Sequence, residues 1–249
     1  MQHIPKSHPR YHSLITREKI SQAVKTGIVH ETGLIAHGRG EAFDYLLGEI
    51  TIPPADEAER IAAVVLLYAD NPVISINGNV AALAADECIQ LAQSIPAKLE
   101  VNLFHHSSER MEKIVHLLKK KGATTIYGLH PNARIPGLDS NRAQCSKEGI
   151  FSADVVLVPL EDGDRCQALL KMGKTVIAID LNPLSRTAQS ATITIVDNLT
   201  RAIPRIEEWV HRLQGAKQID FKDILHDWDN KKNLTLVLDF ISKRLNSLS

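Results

Sequence analysis

From about residue 54 onward, apolar positions alternate between helical and extended spacing, which predicts parallel βαβ units rather than a sandwich or a bundle. Residues 55–69 carry apolar side chains at helical spacing, Pro72 restarts the chain, and residues 73–76 read as a short buried strand. Gly78 and Asn79 predict a turn before a helix over 80–94. A second strand follows over 99–104, then an amphipathic helix over 108–121 that stops at Gly122. Residues 124–127 predict a third strand, followed at about 130–138 by a loop bearing Pro and Gly, of the kind that lines sites. Residues 155–158, 176–179 and 193–196 complete the strand series, with a helix over 165–172 ending at Gly173. The expected fold is α/β, a Rossmann-like, mainly parallel six-stranded sheet flanked by helices. Helical spacing over 17–27 and 40–47 predicts an N-terminal helical subdomain packed on that sheet. Helices over 202–213 and 234–245 are expected after it, with the charged stretch 227–232 as a solvated turn. The chain accordingly divides into residues 1–52, a helical subdomain contributing to the active site, and residues 53–249, a Rossmann-like nucleotide-binding domain with C-terminal helices.

Composition narrows the partners. Apolar residues make up 44% of the 249, enough for a sizeable core, and Lys plus Arg equals Asp plus Glu at 29 each. That balance removes any bulk attraction to nucleic acid or an anionic membrane, so basic groups must act locally. Three scattered cysteines form no CxxC pair and no disulfide framework, which points to a reducing cytoplasm. No apolar run reaches the roughly 18 to 20 residues that span a bilayer, and the first residues lack the apolar run of a signal peptide.

Costly polar residues gather where predicted strands end, the place where open α/β sheets bind ligands. IPKSHPRYHSL at 4–14 sets Lys6, His8 and Arg10 at alternate positions, with Pro5 and Pro9 biasing the backbone toward an extended form that would aim cations at a phosphate. A solvated arm fits the same pattern. GLIAHGRGEAFDYLLGE at 33–49 brackets Arg39 with Gly38 and Gly40 just before a predicted helix, where amides and helix dipole could receive a phosphate. A capping turn explains the glycines but not the arginine between them. PLEDGDR at 159–165 offers Asp162 and Asp164 beside Glu161, to hold Mg²⁺ or an ammonium group, or to serve only as an acidic helix start. DLNPLSRT at 180–187 and VDNLTRA at 196–202 would bring Asn182, Arg186, Thr187 and Asn198 together as a nucleotide pocket.

Other motifs lead nowhere. MGKT at 172–175 joins a helix to a strand, the reverse of a P-loop, and GxGxxG is absent after the first strand. His105 and His106 have no HExxH context, and Cys166 on a predicted helix reads as packing.

These clusters, together with PVISINGNVAAL, EVNLF, ADVVLVPLEDGDR and IDLNPLSRTAQSATITIVDNLTRAIP, resemble the archaeal phosphopantothenate synthetase family from residue 4 to about 204. At His105-His106 the family more often has an aromatic and a basic residue. The resemblance implies a homodimer that joins 4-phosphopantoate to β-alanine with ATP, releasing AMP and diphosphate. It also implies ATP contacts at Arg17, Arg39, Asp180, Leu181, Asn182, Arg186, Thr187, Asn198 and Leu199. A carboxylate is a poor acyl donor, so attack on the ATP α-phosphate would give an acyl-adenylate with AMP as leaving group. Arg39 and Arg186, with Mg²⁺, would stabilise the charge that crowds there. Asp162 or Asp164 would position the incoming ammonium, and Lys6, His8 and Arg10 would hold the substrate phosphate. The Mg²⁺ ligands are not legible. Two other classes share the pattern: an oxidoreductase, which would need the missing dinucleotide fingerprint, and a non-enzymatic adenine-nucleotide sensor, which needs only the pocket.

Overall fold

Short apolar runs buried along their whole length are what a parallel sheet covered on both faces requires. The computed structural model describes residues 4–160, 162–215 and 221–247. Its main sheet contains β1 (Pro72–Ile76), β2 (Lys98–Val101), β3 (Ile126–Tyr127), β6 (Val155–Pro159), β7 (Thr175–Ile179) and β8 (Ile193–Ile195), in the order β3-β2-β1-β6-β7-β8. All its pairings are parallel. Side chains alternate between the two layers as the strand period demands. Ile74, Leu157 and Ile177 enter one core and Val73, Val156 and Val176 the other.

The first core is closed by α3 (Pro53–Leu67), α5 (Ala85–Ser94), α6 (Ser108–Lys120) and α9 (Leu199–Leu213). The second is closed by α7 (Gly163–Lys171) and by a two-stranded antiparallel ribbon, β4 (Ala133–Arg134) with β5 (Gln144–Cys145). A third cluster joins Leu47 and Ile52 to Leu181, Val196 and Val237, where α8 (Arg186–Ser190) and α11 (Asn230–Asn246) pack beside β8. The short α10 (Phe221–Asp227) precedes α11.

Several elements depart from the sequence reading. The expected helix over 80–94 is two: α4 (Gly78–Leu83), capped by the Asn77 side chain accepting from Val80 N–H at 3.0 Å, and α5, with the break at Ala84. Gly78 and Asn79 are therefore helical, not a turn. The strand expected over 99–104 ends at Val101, and the loop over 130–138 contains β4. In the stretch 227–232, Asp229 caps α11, and Asn230 turns inward to donate to Ala188 O at 3.0 Å.

The largest departures lie before the sheet. α1 (Tyr11–Lys25) begins six residues before the expected start at 17 and α2 (Thr32–Leu47) eight before 40, so Gly38, Arg39 and Gly40 stand inside a helix rather than ahead of one. Arg39 therefore does not stand at a helix N-terminus. Glycine inside a helix costs about 1 kcal/mol relative to alanine, and close approach explains one of them. A Cβ on Gly33 would lie 2.4 Å from Asn79 Oδ1, and the Asn79 amide donates to Gly33 O at 3.0 Å, so α2 can touch α4 only through a residue without a side chain. Residues 4–10 are not extended either. His8 N–H donates to Pro5 O and Tyr11 N–H to His8 O, both at 2.9 Å, forming turns that feed α1. Glu161, part of the acidic cluster, lies outside the described residues.

Candidate functional site

The strand order reverses direction between β1 and β6, the position where a doubly wound sheet opens a crevice at its carboxyl edge. A cavity of about 360 Å³ lies there. Asn77 and Asn79 enter it after β1, Leu103 and His105 after β2, Leu160 and Asp162 after β6, and Ala36 and Arg39 come down from α2. Arg110, in the first turn of α6, and the buried Arg142, just before β5, complete the wall. Three guanidinium groups thus face a single described carboxylate. That carboxylate, Asp162, caps α7 by accepting from Asp164 N–H at 3.1 Å. His30 and His105 stack at the same cavity, ring centroids 3.9 Å apart and 14° from parallel.

A second cavity, about 620 Å³, lies on another flank of α2, between α1 and the start of α9. Its charges are balanced, with Arg10, Lys19 and Arg201 against Glu41, Asp44 and Glu49. Arg17, nearby on α1, holds Glu41 through both carboxylate oxygens at 2.8 and 2.9 Å and donates to Tyr45 Oη at 3.0 Å. Those contacts keep the Glu41 carboxyl below its usual range although burial pushes the other way. Asn198 caps α9, its Oδ1 accepting from Thr200 N–H, while its amide donates to Asp44 Oδ2 at 2.9 Å.

The remaining expected residues follow β7. Asp180 is half-buried, and burial raises its carboxyl above the ordinary value even though Ser185 Oγ–H at 2.5 Å, Asn182 N–H at 2.9 Å and the charge of Arg39 favour the ionised form. Leu181 is buried against Gly40, and Thr187 and Leu199 are buried. Arg186 pairs with Asp164 at 2.9 Å on the surface. Within one chain, then, Arg39 and Asp162 share the first cavity and Arg10 and Asn198 the second. Asn182, Arg186 and Thr187 line neither, so these two cavities do not bring them together with Asn198. Lys6 and His8 are exposed on the N-terminal turns and line neither cavity.

The family described as phosphopantothenate/pantothenate synthetase matches residues 54–244 of this chain. The chain belongs to that family. It is 52% identical to the 4-phosphopantoate–β-alanine ligase of Thermococcus onnurineus over 247 residues, 99% of this chain and 95% of that protein. The ligase of the same name from Methanosarcina mazei is 49% identical over 249 residues, 100% of this chain and 98% of its own. A third, from Methanospirillum hungatei, is 58% identical over 210 residues, 84% and 86% of the respective chains.

In this chain the residues that complete the crevice were mostly silent in the sequence. Asn77-Gly78-Asn79 follows a strand, which is a usable signal once the dinucleotide fingerprint is no longer required. Arg110 sits on the polar side of an amphipathic helix and looks solvated, and Arg142 lies in an irregular segment that no periodicity marks. Buried support surrounds the second cavity. Arg201 bridges Asp44 and Asp197 at 2.5 and 2.6 Å, tying α2 to the end of β8. Glu59, fully buried beneath them, is pushed up to about 9 by burial first and by the charge of Asp197 second. Among the described residues no three His, Cys, Asp or Glu side chains form a group that could hold a metal ion. Mg²⁺ carried on nucleotide phosphates needs only one or two carboxylates, a demand Asp162 fits.

Proposed function

We propose that this chain condenses (R)-4-phosphopantoate with β-alanine in an ATP-dependent reaction, giving 4'-phosphopantothenate, AMP and diphosphate in coenzyme A biosynthesis. The observation that carries the reading is the crevice at the sheet's reversal point, lined by Arg39, Arg110 and Arg142 together with Asp162 among the described residues. An adenylating ligase must gather two anionic substrates there, and fixed guanidinium groups in a partly desolvated site offset their repulsion.

The substrate carboxylate attacks the α-phosphate of ATP and diphosphate leaves. The amine of β-alanine then attacks the acyl carbon of the mixed anhydride, and AMP departs. ATP is held by Arg17, Arg39, Asp180, Leu181, Asn182, Arg186, Thr187, Asn198 and Leu199. Arg39 and Arg186 stabilise the developing charge. Asp162 receives the ammonium of β-alanine; Asp164, already paired with Arg186, positions that arginine. Mg²⁺ carried on the nucleotide phosphates would supply further charge neutralisation. Residues 1–52 act as a subdomain that lends Arg17 and Arg39 to the nucleotide site on residues 53–249. The working form is a homodimer in the cytoplasm. Exposed Leu34, Ile35 and Tyr45 on α2 support self-association, and three free, buried cysteines fit a reducing compartment. No described helix is long and apolar enough to cross a membrane.

Incubation with ATP, Mg²⁺, 4-phosphopantoate and β-alanine, followed by mass spectrometry, tests the reading. AMP and 4'-phosphopantothenate should appear together and only when both organic substrates are present. Formation of ADP instead would replace adenylation with an acyl-phosphate route, and binding of ATP without product would leave a nucleotide sensor. Sedimentation of the purified chain checks the dimer.

A further inference from the structure

The motif EVNLF at 100–104 sets two polar residues, Glu100 and Asn102, at alternate positions at the end of β2, and both are buried, at 0% and 3% exposure. Alternate positions face the same side of a sheet. Here it is the side away from Leu99 and Val101, which enter the first core. Burying a carboxylate is costly unless its oxygens are taken. Glu100 Oε1 accepts from Ser146 N–H at 2.8 Å and Oε2 from Ile150 N–H at 2.6 Å. Burial pushes this carboxyl up to about 7 against the pull of the Ile150 and Ser146 amides and the charge of Arg165. Asn102 donates its side-chain amide to Arg142 O at 3.2 Å and to Gln144 O at 2.9 Å, and its backbone N–H donates to Ile76 O, at the end of β1, at 2.9 Å. The segment these two residues grip is a 3₁₀ turn over Asn141–Ala143, the two residues of β5 and a distorted turn around Gly149. Ala143, Cys145, Ser146 and Ile150 are buried, so its backbone groups need partners that water cannot supply. Over β6 and β7 the same layer is covered by α7, a helix that satisfies its own backbone and lets Val156 and Val176 stay apolar. A cover that demands two buried polar residues beneath it is the more expensive solution. What it provides is Arg142, whose carbonyl is held by Asn102 and whose side chain lines the crevice at the β1–β6 reversal.

We propose that Asn102 and Glu100 are positioning residues for the ligation: by holding the backbone of residues 142–150 against β2, they fix Arg142 at the crevice wall, so that loss of the Asn102 amide impairs the reaction through Arg142. The step that Arg142 serves rests on the ligase reading; the mechanical link from Asn102 to residues 141–146 does not. Without Asn102 the carbonyls of Arg142 and Gln144 lose these donors, and a shift of about 1 Å in a group at the site costs on the order of 10²-fold in rate.

The test is a kinetic double-mutant cycle at about pH 8, above the Glu100 value, where both of its oxygens accept. Initial rates of AMP formation give kcat/KM for the wild type, Asn102→Ala, Arg142→Met and the double variant, and far-UV circular dichroism checks that each is folded at the assay temperature. Arg142→Met should lower kcat/KM by roughly 10²- to 10³-fold and Asn102→Ala by roughly 10- to 10²-fold. In the Arg142→Met background, Asn102→Ala should cost less than about threefold, because the group it positions is gone. Losses that multiply instead, or wild-type rates in either single variant, overturn the proposal. If Asn102→Ala does not fold, Glu100→Gln replaces it throughout with the same expectation, since it keeps the side-chain shape but turns one of two acceptors into a donor. Failure of both to fold assigns the pair to the fold alone and overturns the proposal too. Hydrogen exchange of the ligand-free protein supplies a readout independent of turnover. Asn102→Ala should speed exchange of the Ala143 and Ser146 amides by at least about tenfold relative to those of β6, and unchanged exchange sinks the link. A wild type that forms no AMP, with the exchange result as expected, sinks the ligase reading and leaves the hold on residues 141–146 standing. AMP formation by the wild type with losses that multiply sinks the positioning role alone.

Discussion

Asp44 is the side chain through which α2 is bolted to the end of the sheet, and its removal has a size that can be worked out. The carboxylate is nearly buried and accepts from Arg201 Nη1 at 3.2 Å, Arg201 Nη2 at 2.5 Å and the Asn198 amide at 2.9 Å. Breaking a fully buried ion pair costs about 3 to 5 kcal/mol, mostly from the charge left behind. Arg201 is 27% exposed and keeps Asp197 at 2.6 Å, so it is not orphaned. The estimate for Asp44→Ala therefore falls to about 2 to 3 kcal/mol, or roughly 4 to 12 °C in melting temperature for a chain of this size. Urea unfolding followed by far-UV circular dichroism reads the stability. A double-mutant cycle with Arg201→Ala should return a coupling of at least about 1 kcal/mol. Because Asp44 also fixes the Asn198 amide, the KM for ATP should rise in variants still folded at the assay temperature. A stability change under about 0.5 kcal/mol, the level of an ordinary surface substitution, would show that α2 is held by its apolar contacts and that the tie is incidental.

Three further outcomes follow from the same contacts. Burial and the charge of Asp197 lift Glu59 from 4.5 to about 9, so the folded chain keeps a proton that the unfolded chain has released. Its contribution to stability is complete below pH 4.5 and is lost as pH rises through 9. Glu59→Gln should accordingly flatten the decline in unfolding free energy across that window, and parallel curves for the two proteins would contradict the reasoning. A Cβ at Gly149 would lie 1.9 Å from Glu100 Oε2, an oxygen pinned by Ile150 N–H at 2.6 Å, so Gly149→Ala should destabilise by about 3 kcal/mol in urea titration. Arg186→Ala removes only an exposed ion pair from the fold and should leave the melting temperature within about 1 °C. Its turnover should fall by about 10²- to 10³-fold, and an unaltered kcat would remove Arg186 from the reaction.

The local pattern of the chain was enough for the sheet. Apolar runs such as Val73–Ile74 and Val155 to Val158, separated by helical spacing and glycine stops, leave few alternatives to parallel strands covered on both sides, and the sequence motifs were enough for the family. They also placed the polar clusters over 159–165, 180–187 and 196–202 at strand ends, since those are the positions where the chain leaves the core and expensive residues escape burial. Which clusters meet was another matter. Two glycines beside Arg39 imply a helix start by local propensity, yet α2 runs through them because Gly33 fits against Asn79 and Gly40 against Leu181. That continuous helix sets Arg39 on one flank and Asp44 on another, dividing residues that look like neighbours in the sequence between two cavities. Arg110 and Arg142 came to the crevice by the opposite route, from an apparently solvated helix face and an unpatterned loop. Sequence periodicity reports only which side of an element is apolar. Where a charged side chain ends up among its neighbours depends on how closely distant elements can approach, and that is a property of packing alone.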